Sequence, residues 1–257
     1  MKKFLAFLFS SLMLFSVMAI SACDNGSTPS DKEVNTLNEK TPEQLYSLAM
    51  DTVKELDNFQ LDIVQVIEMS YEGETMTMNQ TVTTKKAGQN EYLKSTNDMG
   101  SGEMEAWYVD ETFYGILPTG KMYAKISYEQ YVEKFMPDGA TAEGALMNIP
   151  AEWFVDVKFQ KVSDNEYYLE FIVSGEEYKQ FMNGALNNMV DGIENISYKV
   201  YFDGKGTLGN IVTAFEMDVM GVKASVISTA TISNIGTTTI TAPDVTDGSW
   251  VDVTGRI

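Results

Sequence analysis

The chain has 257 residues, 37 acidic against 18 basic, for a formal charge of −19, and 44% of it is apolar, enough for one large core. So acidic a surface repels nucleic acid and anionic headgroups, so neither is an expected partner. With no histidine and a single cysteine, the commonest general base is absent, as are Ser-His-Asp, Cys-His and His-zinc arrangements and any internal disulfide, which points away from an enzyme.

Lys2 and Lys3 precede an apolar run from Phe4 to Ile20, and small residues lead to Cys23. A positive start, an apolar stretch and a small-residue cleavage site define a secretory signal over 1–22. Ile20-Ser21-Ala22-Cys23 resembles the lipobox of bacterial lipoproteins. The resemblance implies cleavage before Cys23 and a diacylglycerol on its sulfur, with no other cofactor. It also implies a lipid-anchored place on the extracytoplasmic face of the cell membrane. Asp24, next to it, would favour retention at the inner membrane in an envelope with two membranes. Residues 23–40 are polar, with Gly, Ser and Pro, and read as a lipidated flexible tether. Residues 41–257 remain as a single domain, expected to be monomeric.

The first periodic element opens at Thr41-Pro42-Glu43-Gln44. Thr41 suits an N-cap, Pro42 the first turn, and Gln44 completes a capping box. Leu45, Leu48, Ala49, Val53 and Leu56 follow at helical spacing. Strands come next: Asn58 to Tyr71 alternates, with Phe59, Leu61, Ile63, Ile67, Met69 and Tyr71 on one face. Glu72-Gly73-Glu74 turns the chain, and Met76, Met78 and Val82 resume the alternation to about Lys86. Further strands are predicted at 90–98, 103–109, 113–117 and 121–126, divided by Gly, Asn and Asp pairs that suit hairpins.

In mid-chain Tyr128, Tyr131, Val132, Phe135 and Met136 predict a short helix that stops before Pro137. Residues 137–150 are small, weakly helical and flanked by prolines. Val155, Val157 and Phe159 then alternate, Ser163-Asp164-Asn165 turns, and Tyr167, Leu169, Phe171 and Val173 alternate back. A third helix is predicted from Tyr178, Phe181, Met182, Ala185, Leu186, Met189 and Val190. Strands at 196–203, 207–220 and 222–235 complete the sheet, and Ile240 to Val253 reads as a short edge strand with irregular chain.

Several motifs are set aside on physical grounds. Gly204-Lys205-Gly206-Thr207-Leu208-Gly209 matches the dinucleotide fingerprint in letters, but that fingerprint must open a helix. Here β-rich residues follow, and Asp203-Gly204 signals a hairpin turn. Asn79-Gln80-Thr81 and Asn195-Ile196-Ser197 match glycosylation sequons inside or beside strands, in a chain with a bacterial export signal. Asp244, Asp247 and Asp252 lack the spacing of a dense calcium loop.

The 16 methionines fit ordinary core filling first, with the lining of a deformable lipid cavity as the functional alternative. Candidate lining residues are Met78, Trp107, Phe113 and Phe135 in the first half of the chain, and Met147, Trp153, Phe181 and Met182 in the second.

A capped helix, a long antiparallel meander, a helical interruption, more strands, a helix and final strands: this order, with the lipobox, resembles the LolA/LppX-like bacterial lipoproteins and their Gram-positive relatives. The Tyr198 to Asp203 strand and its turn add to the likeness. The resemblance implies an α+β, mostly β fold, a strongly curved antiparallel sheet forming an unclosed half-barrel with helices on its concave face. It also implies a hydrophobic ligand, a lipid or acyl chain, between sheet and helices; residues 137–150, between two prolines, are expected to act as a movable lid over it. The alternative is a non-catalytic scaffold with a solid core that shows its acidic surface to a protein partner.

Overall fold

The computed structural model describes residues 40–98, 103–117, 120–135, 149–163, 166–177, 192–219 and 222–256. Helix α1, Pro42–Lys54, begins as its sequence dictates. Thr41 Oγ1 accepts the Gln44 N–H, and Gln44 Oε1 accepts the Thr41 N–H at 3.0 Å, closing the capping box around Pro42. Leu45, Ala49 and Val53 are buried as the stripe requires, but Tyr46 and Met50 are buried too, so the buried stripe is wider than predicted. Fully burying a side chain such as Leu45 contributes about 1.5–3 kcal/mol.

Among the described residues twelve strands form one sheet. In chain order β1 is Asn58–Tyr71, β2 Glu74–Ala87, β3 Asn90–Asn97, β4 Met104–Val109, β5 Thr112–Leu117 and β6 Gly120–Lys125. After helix α2, Tyr128–Phe135, and a 3-10 turn at Ala151–Trp153 come β7, Val155–Ser163, and β8, Glu166–Ser174. The last strands are β9, Asn195–Asp203, β10, Leu208–Val219, β11, Val222–Ser233, and β12, Trp250–Asp252. Their order across the sheet is β12-β6-β5-β4-β3-β2-β1-β11-β10-β9-β8-β7.

Two antiparallel meanders, β1 to β6 and β7 to β11, are therefore joined where β1 pairs with β11, Ile63 opposite Ala230 and Ile67 opposite Val226. The outer strands β12 and β7 do not meet, which leaves the sheet unclosed. The tail supplies the predicted edge strand: β12 runs parallel to β6, Trp250 opposite Lys121. At the other edge β7 carries register irregularities, and the exposed Lys158 and Lys161, features that discourage pairing with another chain.

The hairpins follow their turn residues. Between β1 and β2, Glu72 and Gly73 both take positive φ, +51° and +84°, as a two-residue turn with right-handed strand twist requires. Between β9 and β10, the Asp203 carboxylate accepts the N–H groups of Lys205 and Thr207. The glycine-rich run at 204–209 is thus a hairpin turn leading into β10 and no helix N-terminus.

Side-chain alternation and register define one inner face, which both described helices cover. Among buried residues it carries Phe59, Ile67, Met78, Val82, Tyr108, Phe113, Ala124, Leu169, Phe171, Tyr198, Val200, Met217 and Val226. Helix α1 lies on it over β8, β9 and β10. The Tyr46 ring meets Phe171 and Phe154 edge-on at 5.5 and 5.0 Å, and Phe171 stacks on Tyr198 at 5.1 Å. Helix α2 lies over the other end, where Tyr131 stacks on Tyr108 at 4.7 Å. The sheet with helices on one face bears out the predicted α+β, unclosed architecture.

The expected third helix lies outside the described residues beyond its start. Residues 175–177 are helical, with Ser174 Oγ accepting the Glu177 N–H. Residues 1–39, with the signal, Cys23 and most of the tether, also lie outside them.

Candidate functional site

The inner face divides into three apolar clusters and one polar row. The largest cluster joins α1 to the sheet: Leu45, Tyr46 and Met50 with Phe59, Leu61, Phe171, Tyr198 and Ile211. A second consists of the sheet residues Ile67, Met69, Met78, Met217, Val222, Ala224 and Val226, with Met76, Phe215 and Ile193 against them. Three of its seven buried members are methionines, side chains that repack readily around varied apolar partners. The third, Tyr108, Phe113, Ala124, Ile126 and Tyr131, fixes α2.

Between the first two clusters the alternation breaks. On β1 the inner sequence is Ile63, Gln65, Ile67, and on β2 it is Val82, Gln80, Met78. Gln65 and Gln80 sit opposite each other in register, and Ser228 of β11 and Thr213 of β10 continue the row. Gln65 is 4% exposed and Gln80 1%. Gln65 Nε2 donates to Ser228 Oγ at 3.4 Å, and Gln80 Nε2 to Ser95 Oγ at 3.3 Å. The Oε1 atoms of both glutamines are buried with no hydrogen-bond partner. Sequence reading missed this row, although its signal was present: the apolar alternation of β1 skips position 65.

Beside α2 lies a charged pair of positions, Lys86 of β2 opposite Glu91 of β3, both buried. The Tyr128 hydroxyl donates to Glu91 Oε1 at 3.0 Å, and Tyr131 also hydrogen-bonds Glu91. Burial, and then the Glu91 charge, hold the Tyr131 phenol well above its ordinary range. Ser127 and Gln130 close a capping box at the start of α2, so the helix is pinned at its first turn.

The expected lining residues separate. Met78 is fully buried in the methionine-rich cluster, and Phe113 is buried under α2. Trp153 is half-buried against the large cluster. Trp107 requires a correction. It pairs with Tyr92 and Tyr114, whereas the buried Tyr108 pairs with Phe113, so strand alternation places Trp107 on the outer face. There it packs on Tyr92 at 5.3 Å, in an aromatic strip that continues through Tyr114 to Tyr123 and Trp250. Helix α2 includes Phe135 at its end; the Phe135 side chain, Met147, Phe181 and Met182 lie outside the described residues, as does 137–148 of the expected lid. The last two lid residues are described, and Ile149 is buried in the large cluster.

Among the described residues no three acidic or cysteine side chains converge on a metal position. Asp244, Asp247 and Asp252 each turn an oxygen back on the chain two residues later, to Thr246, Ser249 and Thr254. No described helix is long and apolar enough to cross a membrane.

No family model and no curated protein matches the sequence. Among solved structures the chain is similar to LprF from Mycobacterium bovis, at 12% identity and a TM-score of 0.40, over 79% of this chain and 96% of that one. It is also similar to a LolA superfamily protein from Nitrosomonas europaea, at 9% identity and a TM-score of 0.27, over 81% and 96%. A domain from Vibrio parahaemolyticus described as lipoprotein-sorting aligns at 12% identity and a TM-score of 0.25, over 80% and 97%.

Proposed function

We propose that this protein is a lipid-anchored envelope protein whose sheet interior binds a hydrophobic ligand, a lipid or acyl chain, without catalysing a reaction on it. The observation that carries the reading is the methionine-rich cluster on the inner face of an unclosed sheet. Met69 of β1 lies opposite Met76 of β2, Met78 follows two residues along β2, and Met217 of β10 lies beyond Ala224 of β11 in the same cluster. Unbranched thioether side chains reshape around acyl chains of different length at little rotamer cost. The sheet's outer strands do not pair, so this interior is not enclosed in a closed barrel.

The anchor would be Cys23, with the chain outside the cytoplasmic membrane. Native mass spectrometry of gently purified protein is expected to show a co-purifying lipid. Absence of any bound lipid, together with failure of delipidated protein to take up a fluorescent acyl probe, overturns the binding reading. The anchor is tested separately: exported Cys23→Ala protein is expected in the soluble fraction, and its complete retention on membranes refutes anchoring at that residue.

The scaffold reading has one observation in its favour. Val64 and Ile227 lie on the outer face of neighbouring strands at 48% and 49% exposure, a small apolar spot for a partner protein. Stable pull-down of one partner that is lost in a Val64→Lys variant, from protein that binds no lipid, would favour it.

A further inference from the structure

Gln65 and Gln80 present two buried acceptor oxygens side by side, each lacking a hydrogen-bond donor. Each amide spends one end on a serine, Ser228 or Ser95, and holds the other end unpaired where only 4% and 1% of the residue meets solvent. A buried acceptor without a donor destabilises the fold, and such groups are rare enough in folded proteins to call for an explanation. The two oxygens face the interior at the seam between the methionine-rich cluster and the large cluster.

We infer that the Gln65–Gln80 pair is the polar subsite of the interior, and that it selects uncharged lipids carrying hydroxyl or amide donors, of the monoacylglycerol type, over free fatty acids. The inference rests on the lipid-binding reading above and specifies its ligand. A hydroxyl of the head would donate to Gln65 Oε1 or Gln80 Oε1, and the acyl chain would lie among Met69, Met78 and Met217. An ionised carboxylate would bring acceptors against acceptors. Among the described residues no cation stands in the row to offset that clash: Lys86, on the same face of β2, is three inner positions away and lies opposite Glu91. A site built to hydrogen-bond a ligand group discriminates strongly against an analogue that lacks it, because its own polar groups are then left unpaired.

The test compares monooleoylglycerol, methyl oleate and oleate as competitors for Nile red bound to the delipidated wild-type chain. Monooleoylglycerol is expected to bind at least about tenfold more tightly than either of the others. In the Gln65→Leu/Gln80→Leu variant that advantage over methyl oleate and oleate is expected to disappear, and its persistence overturns the inference. Equal affinity for all three lipids overturns the inference and leaves the lipid-binding reading standing. Tighter binding of oleate overturns it too, since the amides would then offer N–H groups to the ligand. Binding of none of the three overturns both. If the double variant does not fold, the wild-type order of affinities decides alone.

Discussion

Gly206, in the β9–β10 turn, lies directly beneath Leu48 of α1: a Cβ built on Gly206 would stand 2.5 Å from Leu48 Cδ2. The backbone there has φ +83°, a conformation that glycine adopts freely and alanine does not. Helix and turn are thus locked by the absence of a side chain. Gly206→Ala combines left-handed strain with overpacking and is expected to destabilise the fold by about 2–4 kcal/mol. Adding Leu48→Ala should relieve the overpacking but not the strain, recovering part of the loss. Urea denaturation of the four members of this cycle checks both statements, and an unchanged midpoint in Gly206→Ala refutes them.

The cap of α1 is the next dependency. Thr41 Oγ1 satisfies the Gln44 N–H, and a hydrogen bond with Thr41 also holds the exposed Glu43 carboxyl below its ordinary range. Thr41→Ala removes both of these and is expected to cost about 1 kcal/mol through the lost cap, with Thr41→Ser close to wild type. The measurement is the shift of the thermal midpoint between the two variants, and equal shifts would count against the capping account.

Glu91 ties α2 to the sheet through the Tyr128 and Tyr131 hydroxyls. Glu91→Leu takes away their acceptor and leaves buried hydroxyl donors unpaired, so a loss of about 1–3 kcal/mol is expected. Glu91→Gln keeps one acceptor oxygen and should lose less. Hydrogen exchange distinguishes a local from a global effect. Amides of 131–135 should exchange faster in Glu91→Leu while those of β1 and β11 keep their protection relative to global stability.

The strands, the first helix and the edge strand were legible because local signals and tertiary demand agree in them. The inner face of β1 needs Phe59, Leu61, Ile63, Ile67 and Met69 inside, and the sequence alternates to supply them. The glycine-rich run was legible as a turn because Asp203 and Gly204 carry turn chemistry of their own. Trp107 was misplaced for a related reason. β4 is an amphipathic strand with large aromatics on both faces, Trp107 outward and Tyr108 inward, and residue size does not reveal which face is buried; only pairing with β3 and β5 does. The break at Gln65 could be read from the skipped alternation of β1, but its pairing with Gln80 could not, because the two meet only through the hairpin register. The latch of α2 on Glu91 was hidden likewise, since 37 residues separate Tyr128 from its acceptor.

Buried tyrosines set the alkaline limit of the fold. Burial raises the phenols of Tyr46 and Tyr131, and Tyr108 is raised by burial and then by Glu111 and Glu91. Tyr92 is pushed up to about 12, by burial first and by the Glu105 charge second. An unfolded tyrosine loses its proton near pH 10. Between about pH 10 and 12 the unfolded chain therefore holds fewer phenolic protons than the folded one, and stability falls as pH rises through that window. The contribution is complete below pH 10. Asp244, Asp247 and Asp252 act in the opposite sense, since hydrogen bonds to Thr246, Ser249 and Thr254 lower their carboxyls. What they contribute is present above the ordinary carboxylate range and disappears as pH falls below it. A near-ultraviolet titration is expected to show a late group of tyrosinates appearing together with loss of the folded circular dichroism signal. Tyr92→Phe should make the alkaline fall in stability shallower, and the account fails if these phenols ionise freely at pH 10 in protein that is still folded.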